Sequence, residues 1–432
     1  MTERKQLQSK RIGDSYYEID HPSGLKLFLY PKENSKSTYA IFGTKYGSVD
    51  TCFKRSDEAE TCTVPEGIAH FLEHKLFENE DCDAFARYAK TGASANAYTS
   101  FDVTCYLFSC TENLYESLEI LLDFVQNPYF TERTVQKEQG IIGQEIRMYD
   151  DDPGWCVMFN LLRALYHNHP VRVDIAGTVE SISEITPELL YRCYNTFYNL
   201  NNMVLCVAGN IDVDKVCALA DKMLKPSEPV VVERKFQPEP KEIVQPFVEQ
   251  KLSVAVPLFQ LGFKEEIGAE RRTTKELVAT EILLDILASE SSPLFRRLLD
   301  AELINESSFS YEYFEGPGYA TVLFGGESHH PEQTAEIIKE EIRKLKAADI
   351  QQEDFVRAQK ALYGRNVSAL NGSENIANSM VSLYFADREL FSYLDTIAEI
   401  QLEDVQNALQ TQMDETYAAL SVIHPIETEE AS

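Results

Sequence analysis

The feature that most constrains this chain is the pattern His70-Phe-Leu-Glu73-His74, which lies inside a short apolar segment. Only eight histidines occur in 432 residues, so this pairing is unusual for the composition. At helical spacing the two histidines lie on one face, one turn apart, with Glu73 beside them. Polar side chains inside an apolar helix need partners that offset their desolvation. The pattern therefore predicts a helix with metal chemistry of the H-x-x-E-H type, and the alternative is a pair of ordinary core or surface histidines.

The residues before this pattern predict where the helix begins. Thr63 is followed three residues later by Glu66, which is the spacing of a capping box, and Pro65 falls in the first turn. The helix is therefore expected to begin near Val64.

A second helix is predicted over residues 131–152, with Thr131 as its N-cap and Pro153 beyond its end. Three- and four-residue steps along it place two carboxylates on the same stripe as apolar side chains: Glu138, Ile141, Ile142, Glu145 and Met148. A carboxylate on a buried stripe must be paired, protonated or bound to a cation. Since the two histidines lack an anionic third ligand, these glutamates are candidates. The alternative, that both lie at the solvated edge of the stripe, is equally open from this pattern alone.

Composition narrows the function classes. The formal net charge of −30, from 70 acidic and 40 basic residues, repels a phosphate backbone and argues against nucleic-acid binding. The N-terminal residues are polar, and no run of about 18 apolar residues occurs, so we expect neither export nor a membrane anchor and predict a cytoplasmic protein. The nine cysteines, without a C-x-x-C pair, are best interpreted as reduced thiols.

The order of predicted elements indicates two related halves. Alternating residues over 15–48 predict strands, residues 92–110 predict a strand pair, and the second half repeats the order of strand, long helix, strand pair and closing strand. Prolines in a charged context mark a linker between the halves. We predict an α+β fold of two homologous α/β-sandwich halves, each a mixed or antiparallel sheet with helices on one face. The domains are expected at residues 1–228 and 251–432, with a linker at 229–250 and the metal motif only in the first.

Five segments together resemble the pitrilysin/insulinase (inverzincin) family of zinc peptidases. They are the HFLEH helix, the GASANAYTS segment, the helix that carries Glu138 and Glu145, the Gly209-Asn210 strand end and the SPLFRRLLD segment. The resemblance covers nearly the whole chain and is greatest to bacterial short-chain members, in particular a type associated with modification of elongation factor P. It implies that the chain is half of a clam-shaped peptidase.

The resemblance also implies roles for individual residues. One zinc ion per chain would be bound by His70, His74 and Glu145, with Glu73 as the general base and Glu138 as a supporting acid. An extended peptide substrate would pair as an added strand along the GASANAYTS segment. The implied substrate-binding positions are Gly92, Ala93, Ser94, Ala95, Asn96 and Ala97. The alternative for this segment is an ordinary strand of small residues.

One departure from the family pattern bears on partners. Active members use an Arg and a Tyr, seven residues apart in the second domain, to hold the substrate carbonyl. Here Arg296 and Arg297 come too early, and no tyrosine follows until Tyr311. The resemblance implies that such members pair with a metal-less sibling, so a heterodimer is expected and a homodimer is the alternative.

The resulting functional prediction is a zinc metalloendopeptidase or oligopeptidase that hydrolyses unfolded peptides as the catalytic subunit of a two-chain complex. The alternative is a non-catalytic structural or peptide-binding subunit of the same fold.

Overall fold

The computed structural model describes residues 4–80, 82–266 and 271–426, and it divides into two compact units. The first unit takes its described residues from 1–146, 174–235 and 366–393, and the second from 147–173, 236–365 and 394–432. These units differ from the contiguous domains predicted at residues 1–228 and 251–432, because each includes one segment from the other half of the chain.

The helices and strands are as follows. Residues 4–150 form β1 (Arg4–Gln8), β2 (Ser15–Asp20), β3 (Lys26–Pro31), β4 (Thr38–Thr44), β5 (Cys52–Arg55), β6 (Cys62–Thr63), α1 (Ile68–Leu76), α2 (Ala84–Thr91), β7 (Ser94–Thr99), β8 (Thr104–Cys110), α3 (Leu114–Gln126) and α4 (Glu132–Asp150). Residues 153–252 form α5 (Pro153–Leu165), α6 (Val179–Ser183), α7 (Pro187–Phe197), β9 (Met203–Gly209), α8 (Val213–Met223), β10 (Val232–Arg234) and β11 (Phe247–Leu252). Residues 258–425 form β12 (Leu258–Lys264), α9 (Thr274–Ala288), α10 (Pro293–Asp300), β13 (Ser310–Gly316), β14 (Tyr319–Glu327), α11 (Pro331–Ala347), α12 (Gln352–Ala369), α13 (Ser373–Phe385), α14 (Leu390–Glu399), α15 (Leu402–Thr411) and β15 (Ala418–Pro425).

The first unit is built on a seven-stranded sheet in the order β1-β2-β3-β9-β4-β8-β7. Its central strands β4 and β9 are buried along their whole length, which is why their sequences are continuously apolar and do not alternate. β3 pairs with β9 in parallel, and the other neighbours are antiparallel. β7 is the edge strand next to β8, so its outer backbone groups pair with no described strand.

The second unit repeats this arrangement. Its five-stranded sheet has the order β11-β15-β12-β14-β13, in which β11 and β15 pair in parallel and the other pairs are antiparallel. The order matches β3-β9-β4-β8-β7 strand for strand, so the predicted duplication agrees with the topology. The first two strands of this unit, β11 and β12, are separated by residues 253–257.

Each of these two sheets has one face covered by a helix from the other half of the sequence. α13 packs on β4 and β9, and α5 packs on β12 and β15. A glycine in each central strand makes room for the helix: a Cβ on Gly43 would lie 2.9 Å from Phe385, and a Cβ on Gly262 would lie 2.9 Å from Leu161. The helices α1 and α3 lie on the opposite face of the first sheet, where Phe77 and Phe124 contact Tyr106. The first sheet therefore has helices on both faces, since α1 and α3 from the N-terminal half cover one face and α13 from the C-terminal half covers the other. The expected arrangement, with helices on one face only, holds for the helices that the N-terminal half provides.

The cysteines and the helix lengths bear on two expectations from composition. All nine cysteines are free. Across the residues that the structure describes, every helix is too short or too polar to cross a lipid bilayer.

A buried ion pair stabilises the loop that supports the end of β7. The backbone N–H groups of Ser48 and Val49 donate to the carbonyls of Ser100 and Phe101, directly after β7. This loop is held by the Asp50 carboxylate, which accepts hydrogen bonds from Gly47 N at 2.9 Å and from Arg234 Nε at 2.5 Å. Burial raises the pKa of Asp50, and Arg234 opposes that shift.

We expect Arg234→Ala to lower the free energy of unfolding by about 3–5 kcal/mol, because it leaves a buried carboxylate without its cation. Urea unfolding of the full chain measures the loss. In the Arg234→Ala background, Asp50→Asn should restore part of the stability, since the stranded charge is removed. If the double variant is as unstable as Arg234→Ala, the loss comes from packing and not from the charge.

Candidate metal centre

The metal-motif helix α1 begins at Ile68 and not at Val64. Residues 66–67 form a turn, and the N-cap is Gly67 at φ +84°, so the capping box predicted from Thr63 and Glu66 does not form. A Cβ at position 67 would lie 2.3 Å from the carbonyl oxygen of Ala176. Glycine is therefore required both for the left-handed conformation and for this close approach, which fixes the start of α1.

α1 is almost completely surrounded by protein. Its apolar residues pack towards β7 and β8, and the same burial extends to His70 and Glu73, which are 7% and 9% exposed. Burial of an imidazole and a carboxylate on an apolar helix is costly unless each has a partner. The partners come from β7 and from α4.

The second helix, α4, begins as predicted, and its position is fixed by side-chain hydrogen bonds. Thr131 Oγ1 accepts from the backbone N–H of Thr134 at 3.3 Å, as an N-cap should. Gln139 Nε2 donates to the carbonyls of Ile182 at 3.1 Å and Ile185 at 3.2 Å, which anchors the middle of the helix. These contacts determine which face of α4 is turned towards α1.

The stripe predicted on α4 is only partly correct. Glu138 and Ile142 are buried, and Glu145 is half-buried, but Ile141 and Met148 are 44% and 60% exposed. The reason is that the buried face of α4 is rotated around the helix relative to the predicted stripe, towards Val135 and Ile146. The alternative, in which both glutamates are solvated surface groups, is therefore wrong.

His70, His74 and Glu145 form the one group of candidate metal ligands that the described residues contain, with their ligand atoms within 4.8 Å of one another. His70 Nε2 lies 3.7 Å from Glu145 Oε1, and His74 Nε2 lies 3.5 Å from Glu145 Oε2. Two imidazole nitrogens and one carboxylate oxygen are the protein ligands of one class of catalytic zinc site. The three donors therefore fit a zinc ion.

Glu138 has a different position from Glu145. Its Oε1 lies 3.1 Å from Nδ1 of His74, so Nδ1 is the nitrogen that donates, and Nε2 faces Glu145. Burial is the largest single influence and opposes the charged forms of both groups, but their hydrogen bond and the neighbouring charges together outweigh it, raising the pKa of His74 and lowering that of Glu138. A carboxylate that orients a ligating histidine through its second nitrogen is typical of zinc sites.

The electrostatics of His70 also favour a metal ligand. Burial, followed by the nearby His74, lowers the pKa of His70 to about 4, so the ring is neutral at pH 7. Metal binding needs neutral imidazole. Its Nδ1 is buried without a hydrogen-bond partner among the described residues.

Glu73 lies beside the three candidate ligands without being part of that group. Thr99 Oγ1 donates to Glu73 Oε2 at 2.6 Å, and burial raises the pKa of Glu73 despite this hydrogen bond. A carboxylate with a raised pKa is better suited to accept a proton near neutral pH. Sequence analysis did not assign Thr99 to the site. The period-two pattern of β7, which places Thr99 on the same face as Ala97, is the signal that could have found it.

The predicted substrate-binding positions lie on or next to the edge strand. Gly92 ends α2 at φ +76°, Ala93 follows it, and positions 94–97 belong to β7. Asn96 is exposed, and its Oδ1 accepts from Ala97 N at 2.9 Å. These positions are at an available sheet edge beside Glu73, which is compatible with peptide pairing.

Comparisons with known proteins identify similar families and relatives. A family model described as Insulinase (Peptidase family M16) matches residues 62–179, and one described as Peptidase M16 inactive domain matches residues 184–362. The zinc protease YmfH of Bacillus subtilis, which is described as uncharacterized, is 40% identical over 417 residues, covering 95% of this chain and 96% of that protein.

Solved structures confirm the fold class. An M16-like protein of Alicyclobacillus acidocaldarius has a crystal structure with a TM-score of 0.90 and 34% identity, covering 98% of this chain and 99% of the other. A Helicobacter pylori protease has a TM-score of 0.80 at 21% identity, covering 98% of this chain and 100% of the other, and shows the shared fold alone.

The ligand geometry predicts a graded response to substitution. His74→Ala and Glu145→Gln should abolish stoichiometric zinc binding, whereas Glu138→Gln should weaken it by about 10–100-fold, because Glu138 orients His74 without facing the ligand atoms. Elemental analysis and competitive chelator titration measure both effects, with the exposed Glu112→Gln as the control. Wild-type affinity in Glu145→Gln would contradict the ligand set.

Proposed function

The chain belongs to peptidase family M16, the insulinase family, and we propose that it is a zinc-dependent endopeptidase or oligopeptidase that hydrolyses unfolded peptides. The observation that carries the proposal is the convergence of His70, His74 and Glu145 beside the buried Glu73. Relatives named as zinc proteases support the choice of metal.

The proposed mechanism assigns a separate task to each side chain. His70, His74 and Glu145 would hold one zinc ion, which when bound supplies Lewis acidity and brings the pKa of water towards neutrality. Glu73 would accept the proton of the attacking water and pass it to the leaving amine. Its raised pKa suits both halves of this transfer, because the protonated carboxyl must persist until the C–N bond breaks.

Two residues would position these groups. Thr99 holds Glu73 by its hydrogen bond at 2.6 Å, and Glu138 holds His74 through Nδ1. Glu138 is therefore proposed as a positioning residue, which replaces the less specific role of supporting acid.

Substrate would bind as an added strand on β7. Its outer edge is unpaired among the described strands, and it lies on the same sheet that supports α1. Main-chain pairing requires an extended backbone, so unfolded peptides are the proposed substrates. Positions 92–97 would provide the backbone groups and small side chains that permit close approach.

The developing oxyanion needs a hydrogen-bond donor, which neither Arg297 nor Tyr311 is free to provide. Arg297 forms an ion pair with Glu340 at 2.7 Å, and the hydroxyl of Tyr311 donates to Asp285 at 2.7 Å, so both are engaged within the second unit. We propose that a metal-less homologous partner provides the Arg and Tyr, which makes the chain the catalytic subunit of a heterodimer. A homodimer is the alternative assembly.

The second candidate function is a non-catalytic structural or peptide-binding subunit. Residues 184–362 match the inactive-domain model, which favours this alternative for the second half, but none of the proposed ligands falls in that range. A cytoplasmic location and an association with elongation factor P modification remain predictions.

The two candidates differ in their response to Glu73→Gln. This variant should keep stoichiometric zinc, because Glu73 is not a proposed ligand, and should lose peptide hydrolysis by several orders of magnitude. Elemental analysis and a mass-spectrometric digest of a peptide library measure the two properties. Cleavage at the wild-type rate in Glu73→Gln would refute the mechanism.

The partner proposal predicts a dependence on a second chain. The purified single chain should bind zinc and cleave peptides poorly, since loss of one oxyanion donor typically costs about 10²–10³ in rate. Addition of the partner should restore that factor, and replacement of the partner's Arg and Tyr should remove it again. A high specific activity of the single chain, unaffected by any partner, would instead favour the homodimer.

A further inference from the structure

A cavity of about 560 Å³ opens directly beside the candidate catalytic residues. Glu73, His74 and Glu138 form part of its wall, and Asn96 and Ala97 of the edge strand form another part. A peptide paired with β7 would therefore present a side chain close to the scissile bond to this cavity. Its remaining lining comes from α4, the end of α1, and the segment between α1 and α2.

The cavity has a partly exposed apolar wall. Phe77 and Phe85 stack with ring centroids 4.4 Å apart and an interplanar angle of 13°. Phe85 is 47% exposed, and Ile141 across the cavity is 44% exposed. Large apolar side chains left exposed beside a candidate active site offer a contact for an aliphatic chain.

Beyond this wall the lining is acidic. Glu78, Glu80 and Asp83 all line the cavity, and an antiparallel bridge between residues 78 and 83 brings the two ends of this segment together. Glu78 is neutralised by an ion pair with the fully buried Lys75.

Two of these three carboxylates have no ion-pair partner among the described residues. Asp83 accepts a hydrogen bond from Phe85 N at 2.7 Å as the N-cap of α2, but neither it nor Glu80 forms an ion pair with a residue that the structure describes. Lys137 on α4 is the cation among the lining residues. The cavity thus combines an apolar wall with two acidic groups that form no ion pair with a described residue.

We propose that this cavity is a specificity pocket for a lysine or arginine side chain next to the scissile bond. The inference rests on the proposed peptidase function and names its substrate class. The methylene stem packs against Phe77, Phe85 and Ile141, and the cationic end reaches Glu80 and Asp83. Long basic side chains place apolar stems on hydrophobic surface in this way while their charged ends keep polar contact. An exposed aromatic face adds cation–π attraction.

A purely apolar side chain of the same length fits the wall less favourably. It would displace water from Glu80 and Asp83 without replacing the hydrogen bonds. An acidic side chain would meet two like charges, which disfavours binding. Discrimination by charge should therefore exceed discrimination by size.

The first test compares peptides that differ only in this side chain. A library digest by the zinc-loaded enzyme, with its partner if one is required, should show cleavage next to lysine or arginine. In matched peptides, kcat/KM should be about tenfold higher for lysine than for norleucine, and for arginine than for citrulline. Rising salt should reduce both ratios, because charge and not shape produces them. Ratios near one at low salt would overturn the proposal.

The second test changes the pocket. Glu80→Gln/Asp83→Asn removes two charges while asparagine can still cap α2, and it should lower the lysine-to-norleucine ratio at least fivefold. Lys137→Gln should raise the ratio, because it removes the opposing cation. The control Glu112→Gln/Glu116→Gln removes two exposed acidic groups that do not line the cavity, and should leave the ratio unchanged. A ratio that responds equally to both double variants would overturn the proposal in favour of a general effect of net charge.

Failure of this inference can be distinguished from failure of the proposed function. Cleavage without a basic preference would refute the pocket assignment and leave the peptidase assignment intact. If no peptide is cleaved, the proposed function fails, and the same peptide pairs are compared by fluorescence anisotropy for binding to the wild-type protein. Tighter binding of the lysine peptide, lost in Glu80→Gln/Asp83→Asn, would still support the pocket, and equal binding would overturn it.

Discussion

The hydrogen bond between His74 and Glu138 is the interaction on which the candidate site depends, because it joins the two helices that carry the proposed metal ligands. α1 contributes two imidazoles and α4 contributes a carboxylate, so neither helix can form the site by itself. With Nδ1 of His74 held by Glu138, Nε2 is directed towards Glu145. Burial of α1 against the sheet then fixes the distance of Glu73 from this group.

Negative charge surrounds this centre, and it bears on both the proposed metal and the proposed substrate. Three carboxylates near the histidines favour a cation, while the burial of Glu73 favours its protonated form. Acidic residues also line the adjoining cavity, where Glu80 and Asp83 form no ion pair with a described residue. A peptide with a basic side chain would therefore bind where the local field is already negative. Local charge, and not the net charge of −30, is what supports this specificity.

The two units share a topology but differ in chemistry. Equivalent glycines, Gly43 and Gly262, admit α13 and α5 to the faces of the two sheets, which shows how closely the packing of one unit repeats that of the other. The second unit has no counterpart of the histidine motif. Its Arg297 and Tyr311, whose spacing does not match the family's Arg and Tyr pair, are engaged in internal contacts. The repeated fold thus leaves one unit with a site and the other without it.

Which types of side chain form the site, and where most of the helices and strands lie, can be inferred from the sequence alone. His70, Glu73 and His74 follow from a local pattern, and the N-cap predicted at Thr131 marks the start of α4. Those features depend on residues a few positions apart, which the sequence shows directly. The residue pattern alone did not distinguish Glu138 from Glu145, and the family resemblance implied Glu145 as the ligand. In the folded chain Glu145 faces the imidazoles and Glu138 faces Nδ1 of His74, because contacts with distant residues set the rotation of α4. The packing of α5 and α13 on the sheet of the opposite half, and the acidic cavity, also depend on the tertiary structure, since each requires segments that are far apart in the chain to meet.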